Sequence, residues 1–286
     1  MKVYTCTIAR RENDYLCEFV EHYKSIGITK MFIYDNGFDD DENPKDVLGK
    51  YIEEGFVELI DFRNKKNAHC DSYNDFIIKH VKEYDWALFI DVDEFLFFKR
   101  GSGIKNVSQF LAMDIFNDFD QIVVNWEIYG DNEKIEKEDL PVVQRFTKKN
   151  SKSTYNNHGK CFLRGRMDYY FEGNVWHLNP MLKGCNECGQ EVTVDFNEHK
   201  NKYAEIRHYM SKSLEEFLAK AERGYPDNPH FNNDYETQRK EFIQEMFIRK
   251  YFSINKMTKE KNDYLEKKLG WKFDTNKLKK IYGKNR

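Results

Sequence analysis

Trp86-Ala87-Leu88-Phe89-Ile90-Asp91-Val92-Asp93-Glu94-Phe95-Leu96 is a hydrophobic run that stops on acids. Read as a strand, it enters the fold through residues 86–90 and delivers carboxylates at its carboxyl end. In extended backbone, residues two apart face the same way, so Asp91 and Asp93 are expected to converge on one point while Val92 turns away. Clustered carboxylates need a cation, and hard oxygen ligands select Mg²⁺ or Mn²⁺, which keep positions open for a substrate's phosphates. An isolated D-x-D equally fits a solvated strand end with acidic turn residues, so the surroundings decide.

Working outward, apolar or β-branched runs at residues 3–9, 30–34 and 56–61 precede it. Leu16, Phe19, Val20 and Tyr23 fall at helical spacing, and Gly27 stands where a C-cap glycine belongs. Phe76, Ile77, His80, Val81 and Tyr84 repeat that spacing, so the first ~95 residues read as alternating β and α around a mostly parallel sheet. Ligands of such sheets bind beyond the carboxyl ends of the strands. Further on, residues 121–129, 142–147, 160–163, 191–196 and 204–210 read as strands of a mixed sheet. Ser213 and Glu216 have capping-box spacing for a helix to Gly224, and Phe242, Ile243, Met246, Phe247 and Tyr251 make another helical stripe. The expected organisation is a domain at 1–224, with halves at about 1–100 and 101–224, followed by a helical basic extension at 225–286.

The chain has 286 residues, 40% hydrophobic and 33% charged, which excludes membrane-spanning and disordered classes. Nowhere do the roughly 18 consecutive apolar residues of a spanning helix occur, and residues 1–9 lack the features of a signal peptide. A net charge of −3 gives no general case for nucleic-acid binding. Six cysteines, mostly inside apolar runs, read as reduced thiols of a cytoplasmic protein. Cys185 and Cys188 have zinc-knuckle spacing with His177 and His199 on either side, but the single C-x-x-C favours a plain loop. Gly101-Ser102-Gly103 lacks the third glycine of a dinucleotide fingerprint.

Tyr15-Leu16, His22-Tyr23 with Gly27, residues 32–36 and residues 89–96 together resemble glycosyltransferase family 92 and related family-2-like bacterial glycosyltransferases. The resemblance continues through Asn125-Trp126, Gly130-Asp131-Asn132, Arg145-Phe146, residues 157–160, Arg207-His208-Tyr209, Lys212-Ser213, Glu216-Phe217 and Arg223-Gly224. These ordered blocks extend over roughly residues 4–224. The resemblance implies a GT-A fold, a nucleotide-sugar donor such as a UDP-sugar, and Mn²⁺ or Mg²⁺ as cofactor. The residues after Asn132 and the loop from Cys185 to Cys188 depart from the family's usual pattern.

In that reading Asp93 binds the metal, Asp91 binds it or the donor ribose, and His208 is a third ligand. Arg10, Glu12, Asp35 and Arg63 follow early strands where a base and ribose would be read, and Lys160 is a candidate diphosphate contact. An acceptor hydroxyl needs a base. Asp131 is the first choice and Glu127 the second, with Asp168 and Glu172 in reserve; Trp126 and Tyr129 offer rings for a sugar face. The resemblance implies glycosyl transfer; within that class the expected donor sugar is a hexose, galactose or glucose, and the expected acceptor a glycan or lipid-linked glycan, as in bacterial surface polysaccharide synthesis. A nucleotidyltransferase would favour a Gly-rich loop after the first strand, which Ile8-Ala9-Arg10-Arg11-Glu12 lacks. A non-catalytic carbohydrate-binding module does not need Asp91, Asp93 and His208. Residues 256–286 carry a net +7 against −10 for the rest, interleaved with Tyr264, Leu265, Trp271 and Phe273. That mixture fits either peripheral contact with an anionic membrane at its cytoplasmic face or a docked terminal helix.

Overall fold

The computed structural model describes residues 1–66, 68–165, 182–193, 201–224 and 235–274. The chain forms two compact units, each discontinuous in sequence. Unit 1 is Met1–Glu127 with Thr154–His208, and unit 2 is Ile128–Ser153 with Tyr209–Arg286. The segment expected as a separate extension therefore shares a unit with residues 128–153 and 209–224.

Unit 1 begins β1 (Val3–Ala9), α1 (Asn13–Ser25), β2 (Lys30–Asp35), α2 (Lys45–Glu53), β3 (Val57–Asp61), α3 (Ala68–His80) and β4 (Trp86–Phe89). β5 (Glu94–Phe98), α4 (Val107–Leu111), β6 (Gln121–Ile128), β7 (Gly159–Arg164), β8 (Gly184–Asn186) and β9 (Ala204–His208) follow. The strands lie in the order β3-β2-β1-β4-β7-β6-β9-β5, with β8 beside β6. β1, β2, β3 and β4 are mutually parallel, and β7 pairs antiparallel with both β4 and β6. The fold is thus a mixed, mostly parallel sheet with flanking helices, as the alternation predicts. Leu16, Phe19, Val20 and Tyr23 are all buried on α1, and Gly27 at φ +90° takes the left-handed turn beyond its end. Tyr4, Cys6, Phe32, Tyr34, Phe76 and Phe89 form a core between the sheet and α3.

β1 is buried along its whole length and lies between β2 and β4. The chain runs outward from β1 through β2 to β3, then crosses back to place β4 on the other flank of β1. The strand order thus reverses between β1 and β4, and ligands of open α/β sheets bind beyond the carboxyl ends of the strands at such a point.

The acids differ from the expected strand end. β4 stops at Phe89, the Glu94 N–H donates to the Asp91 carbonyl at 3.0 Å, and β5 starts at once with Glu94. Asp91 and Asp93 therefore sit in a tight turn, and strand alternation does not govern where they point. Residues 142–147 also differ: Val142–Arg145 is a short helix, its turn closed on the Pro141 carbonyl by the Gln144 and Arg145 N–H groups, and Arg145 is drawn into an ion pair described below. Of the expected strand at 191–196, Glu191 bridges to Cys185, while residues 194–196 lie outside the described residues.

Unit 2 contains that helix, α5 (Val142–Arg145), then α6 (Leu214–Arg223) and α7 (Tyr235–Met246). A π-helical turn (Phe247–Tyr251) leads into α8 (Phe252–Ile254), and α9 (Lys259–Leu269) follows. The capping box is formed by Ser213 and Glu216 as its spacing predicts. Arg145 donates from both terminal nitrogens to the Glu216 carboxylate, at 2.8 and 2.9 Å. Phe217, Phe247, Tyr251, Leu265 and Phe273 belong to one helical core, with Tyr264, Leu269 and Trp271 packed against it. No helix among the described residues is long and apolar enough to cross a membrane.

Candidate active site

The turn after β4 sends its two aspartates to different partners within unit 1. Asp91 accepts a hydrogen bond from Lys160 Nζ at 2.8 Å, and its other oxygen lies 3.8 Å from His69 Nε2 at the start of α3. Asp93 Oδ1 lies 3.6 Å from His208 Nε2 at the end of β9. Glu94, fully buried, places Oε1 3.7 Å from His208 Nδ1 and Oε2 3.9 Å from Lys160 Nζ. Among the described residues, Asp93, Glu94 and His208 form the group able to hold a metal ion, with one ligand atom from each within 4.8 Å of the others. A carboxylate oxygen of Asp93 with the His208 imidazole can ligate Mn²⁺ or Mg²⁺, so the residues present fit a divalent cation.

Lys160 is brought here by β7. Its register partner on β6 is Val124, and the preceding pair is Asn125 with Gly159. A Cβ on Gly159 would come within 2.2 Å of the Val124 carbonyl oxygen, so only glycine lets β7 lie this close to β6. Burial disfavours the Lys160 ammonium, but Asp91 and Glu94 outweigh it and hold its pKa above the ordinary value. Burial alone would raise the Asp91 carboxyl; Lys160, followed by His69, carries it below the usual carboxylate range. Burial pushes Glu94 well up. Lys160, expected at a diphosphate, thus holds Asp91 and faces Glu94.

Aromatic rings complete the surroundings. Trp126 on β6 is T-shaped to the His208 ring, with centroids 4.4 Å apart, and its centroid lies 5.6 Å from that of His158. Behind the acids, the Tyr23 hydroxyl of α1 donates to the Glu94 carbonyl at 3.0 Å and accepts the Leu96 N–H at 3.2 Å. His22 donates from Nε2 to the Leu96 carbonyl at 2.8 Å, and burial pulls its pKa down to about 4, keeping it neutral. One turn of α1 therefore fixes the backbone of β5. Nothing in the spacing of His69, Tyr23 or His22 announces these contacts, because they depend on how α1 and α3 dock on the sheet.

The other expected residues are distributed as follows. Asp35 accepts from Arg63 Nε at 2.7 Å and from the Gly37 N–H at 3.0 Å. Arg63 also donates to the carbonyls of Phe38 and Glu42, at 2.5 and 2.6 Å, so this pair knits together the loop after β2. Arg10 is buried with its guanidinium 5.4 Å from the Phe38 ring centre, and Glu12 starts α1 through its carbonyl. Trp126 and Tyr129 are both buried; Tyr129 belongs to unit 2, where it packs on Tyr209. Glu127 is buried on β6, one position from Trp126 and so on the opposite strand face by alternation. Asp131 is buried in unit 2: Oδ1 accepts the Glu133 N–H, and Oδ2 accepts from Tyr251 at 2.5 Å and from Lys261. Asp168, Glu172, His177 and His199 lie outside the described residues. Burial pushes the Cys185 and Cys188 thiols up to about 12 and about 11, and Cys188 Sγ donates to Glu187 at 2.8 Å. Glu187 in turn accepts the N–H groups of Lys202, Tyr203 and Ala204, which anchors the entry to β9.

A mixed, mostly parallel sheet with flanking helices, and acids gathered in the turn after β4, defines an α/β protein. The family model of Glycosyltransferase family 92 matches residues 3–268, and the chain belongs to that family. A glycosyltransferase family 92 protein of Oryza sativa subsp. japonica is 28% identical over 106 residues, covering 36% of this chain and 17% of that protein. Another, from Ricinus communis, is 28% identical over 107 residues, covering 35% and 18%. The matched segment is under a fifth of the length of these relatives. Among solved structures, S. aureus TarS 1-349 in complex with UDP-GlcNAc has 10% identity and a TM-score of 0.44, over 99% of this chain and 76% of that chain.

Proposed function

We propose that the chain is a metal-dependent glycosyltransferase that moves a hexose, galactose or glucose, from a UDP-sugar to a hydroxyl of a glycan acceptor. The observation that carries this reading is the buried group of Asp93, Glu94 and His208 beside the Lys160–Asp91 pair, within one unit of a family 92 chain. Asp93 and His208 would hold Mn²⁺ or Mg²⁺. When bound, the ion supplies positive charge against the diphosphate that leaves with the nucleoside. Lys160 keeps Asp91 ionised and oriented, so that Asp91 can accept from a donor ribose. Asp35, Arg63 and Arg10 shape the loop beside which a nucleobase would lie. Asp131, with both oxygens engaged, is assigned no part in proton transfer, and the base is sought among Glu127, Asp168 and Glu172.

The acceptor in this reading is a glycan or a lipid-linked glycan of a cell-surface polysaccharide pathway, reached from the cytoplasm. The basic charge of residues 256–286 favours contact with an anionic membrane surface.

Thermal unfolding with UDP-glucose, UDP-galactose and Mn²⁺, singly and together, tests the reading. A ligand at 100 times its Kd adds about 2.7 kcal/mol, so a clear rise in Tm is expected with donor and metal together. No shift with any UDP-sugar plus Mn²⁺ overturns it.

A further inference from the structure

We propose that Glu94 is a positioning residue: it fixes the tautomer and rotation of His208 so that Nε2 is offered to the metal beside Asp93. The proposal rests on the metal reading above and deepens it.

Sheet register supplies the first argument. Glu94 opens β5, His208 closes β9, and the two are direct cross-strand partners. Opposed residues of an antiparallel pair share a face, with Cβ atoms roughly 5 Å apart. Backbone pairing therefore delivers this carboxylate to this imidazole before any side-chain choice is made.

His208 then presents its nitrogens to different acids, Nε2 at 3.6 Å from Asp93 Oδ1 and Nδ1 at 3.7 Å from Glu94 Oε1. A neutral imidazole that ligates through one nitrogen carries its proton on the other, and an acceptor oxygen facing that proton settles which is which. Glu94 is built for that task. Its Oε2 accepts the Asp91 N–H at 3.3 Å and is the oxygen nearer Lys160, whereas Oε1, the oxygen turned to the ring, accepts no hydrogen bond. With the residue 0% exposed, water is a poor substitute partner for Oε1. The Tyr23 hydroxyl holds the Glu94 carbonyl, and the Trp126 ring, T-shaped to the imidazole with centroids 4.4 Å apart, limits its rotation. Glu94 and Asp93 thus face opposite nitrogens of the one ring; Asp93 and Nε2 would hold the ion, and Glu94 would act only through the imidazole.

Mn²⁺ alone is the probe. Paramagnetic resonance of free Mn²⁺, titrated into the full chain, gives Kd for wild type, Glu94→Gln, His208→Ala and the double variant. Loss of the partner of a ligating histidine weakens metal binding by about 10–100-fold, which is the effect expected of Glu94→Gln. Because Glu94 acts through His208, Glu94→Gln is expected to cost nothing further in the His208→Ala background. A second tenfold loss there makes Glu94 a direct ligand and overturns the proposal. Nitrogen-15 spectra of the metal-free wild type at alkaline pH supply a reading that needs no variant to fold. His208 protonated on Nδ1 is expected, and protonation on Nε2 overturns the proposal. Wild type that takes up no Mn²⁺ overturns the metal reading and this proposal with it; uptake with additive losses overturns the role of Glu94 alone.

Discussion

Asp131, a carboxylate in a motif shared with the family, is tied into the core of unit 2 by a buried ion pair. Its side chain and that of Lys261 are 6% and 1% exposed, and Tyr251 and Asn255 complete its partners, all within unit 2. Removing one member of a buried pair strands the other charge, at about 3–5 kcal/mol. Asp131→Asn is therefore expected to lower the urea midpoint of the protein strongly. A midpoint equal to wild type, with transfer lost, would return Asp131 to the role of base. The sequence makes the residue visible but not its partners, which lie 120 and 130 positions later. Lys160 teaches the same lesson. A lysine in a glycine-containing block reads as a phosphate contact, and only the approach of β7 to β6 shows it bound to Asp91.

Among the elements, those legible in advance carry local signals. The alternation of the first half, Gly27 after α1 and the Ser213–Glu216 box all depend on residues within a turn or two of one another. The tight turn ahead of β5 was hidden because its residues continue the apolar run of β4, and α5 was hidden because Val142 and Val143 read as strand formers. What holds α5 is Arg145 on Glu216, 71 positions away. Burial alone would raise the Glu216 carboxyl, but Arg145 and Ser213 outweigh it and hold it at about 2, against an ordinary 4.5. A carboxyl depressed in the folded state stabilises above its unfolded pKa and loses that effect as pH falls through the folded one, here a contribution of about 3 kcal/mol. The stability gap between wild type and Glu216→Gln should accordingly be full above pH 4.5 and close as pH falls toward 2. Chemical denaturation at several pH values checks this, and a gap independent of pH would count against the pair. Gly159→Ala acts on another element: with 2.2 Å to the Val124 oxygen, β7 must shift. Weaker donor binding is expected from displaced Lys160, measured by UDP-sugar titration; unchanged affinity would show that the shift does not reach the site.

On the scale of the whole molecule, charge is segregated, with +7 on residues 256–286 and −10 on the remainder. Leu265 and Phe273 are already buried in the helical core, so they are not available to enter a bilayer. The hold expected of residues 256–274 on an anionic surface is then electrostatic and falls as salt shortens the Debye length. Cosedimentation with anionic vesicles should disappear at high salt; salt-resistant binding would refute the electrostatic origin.

The interleaving of the two units has a consequence for synthesis on the ribosome. Residues 128–153 emerge before the second stretch of unit 1, and the partners of Asp131 arrive as much as 130 positions later. At about 5–20 residues per second, this segment waits on the order of ten seconds for Lys261. During that delay its apolar residues have no finished core to enter. A nascent chain stalled inside this window is the form in which the protein is most exposed to chaperones and proteases, and slow-translating stretches after residue 153 would lengthen the exposure.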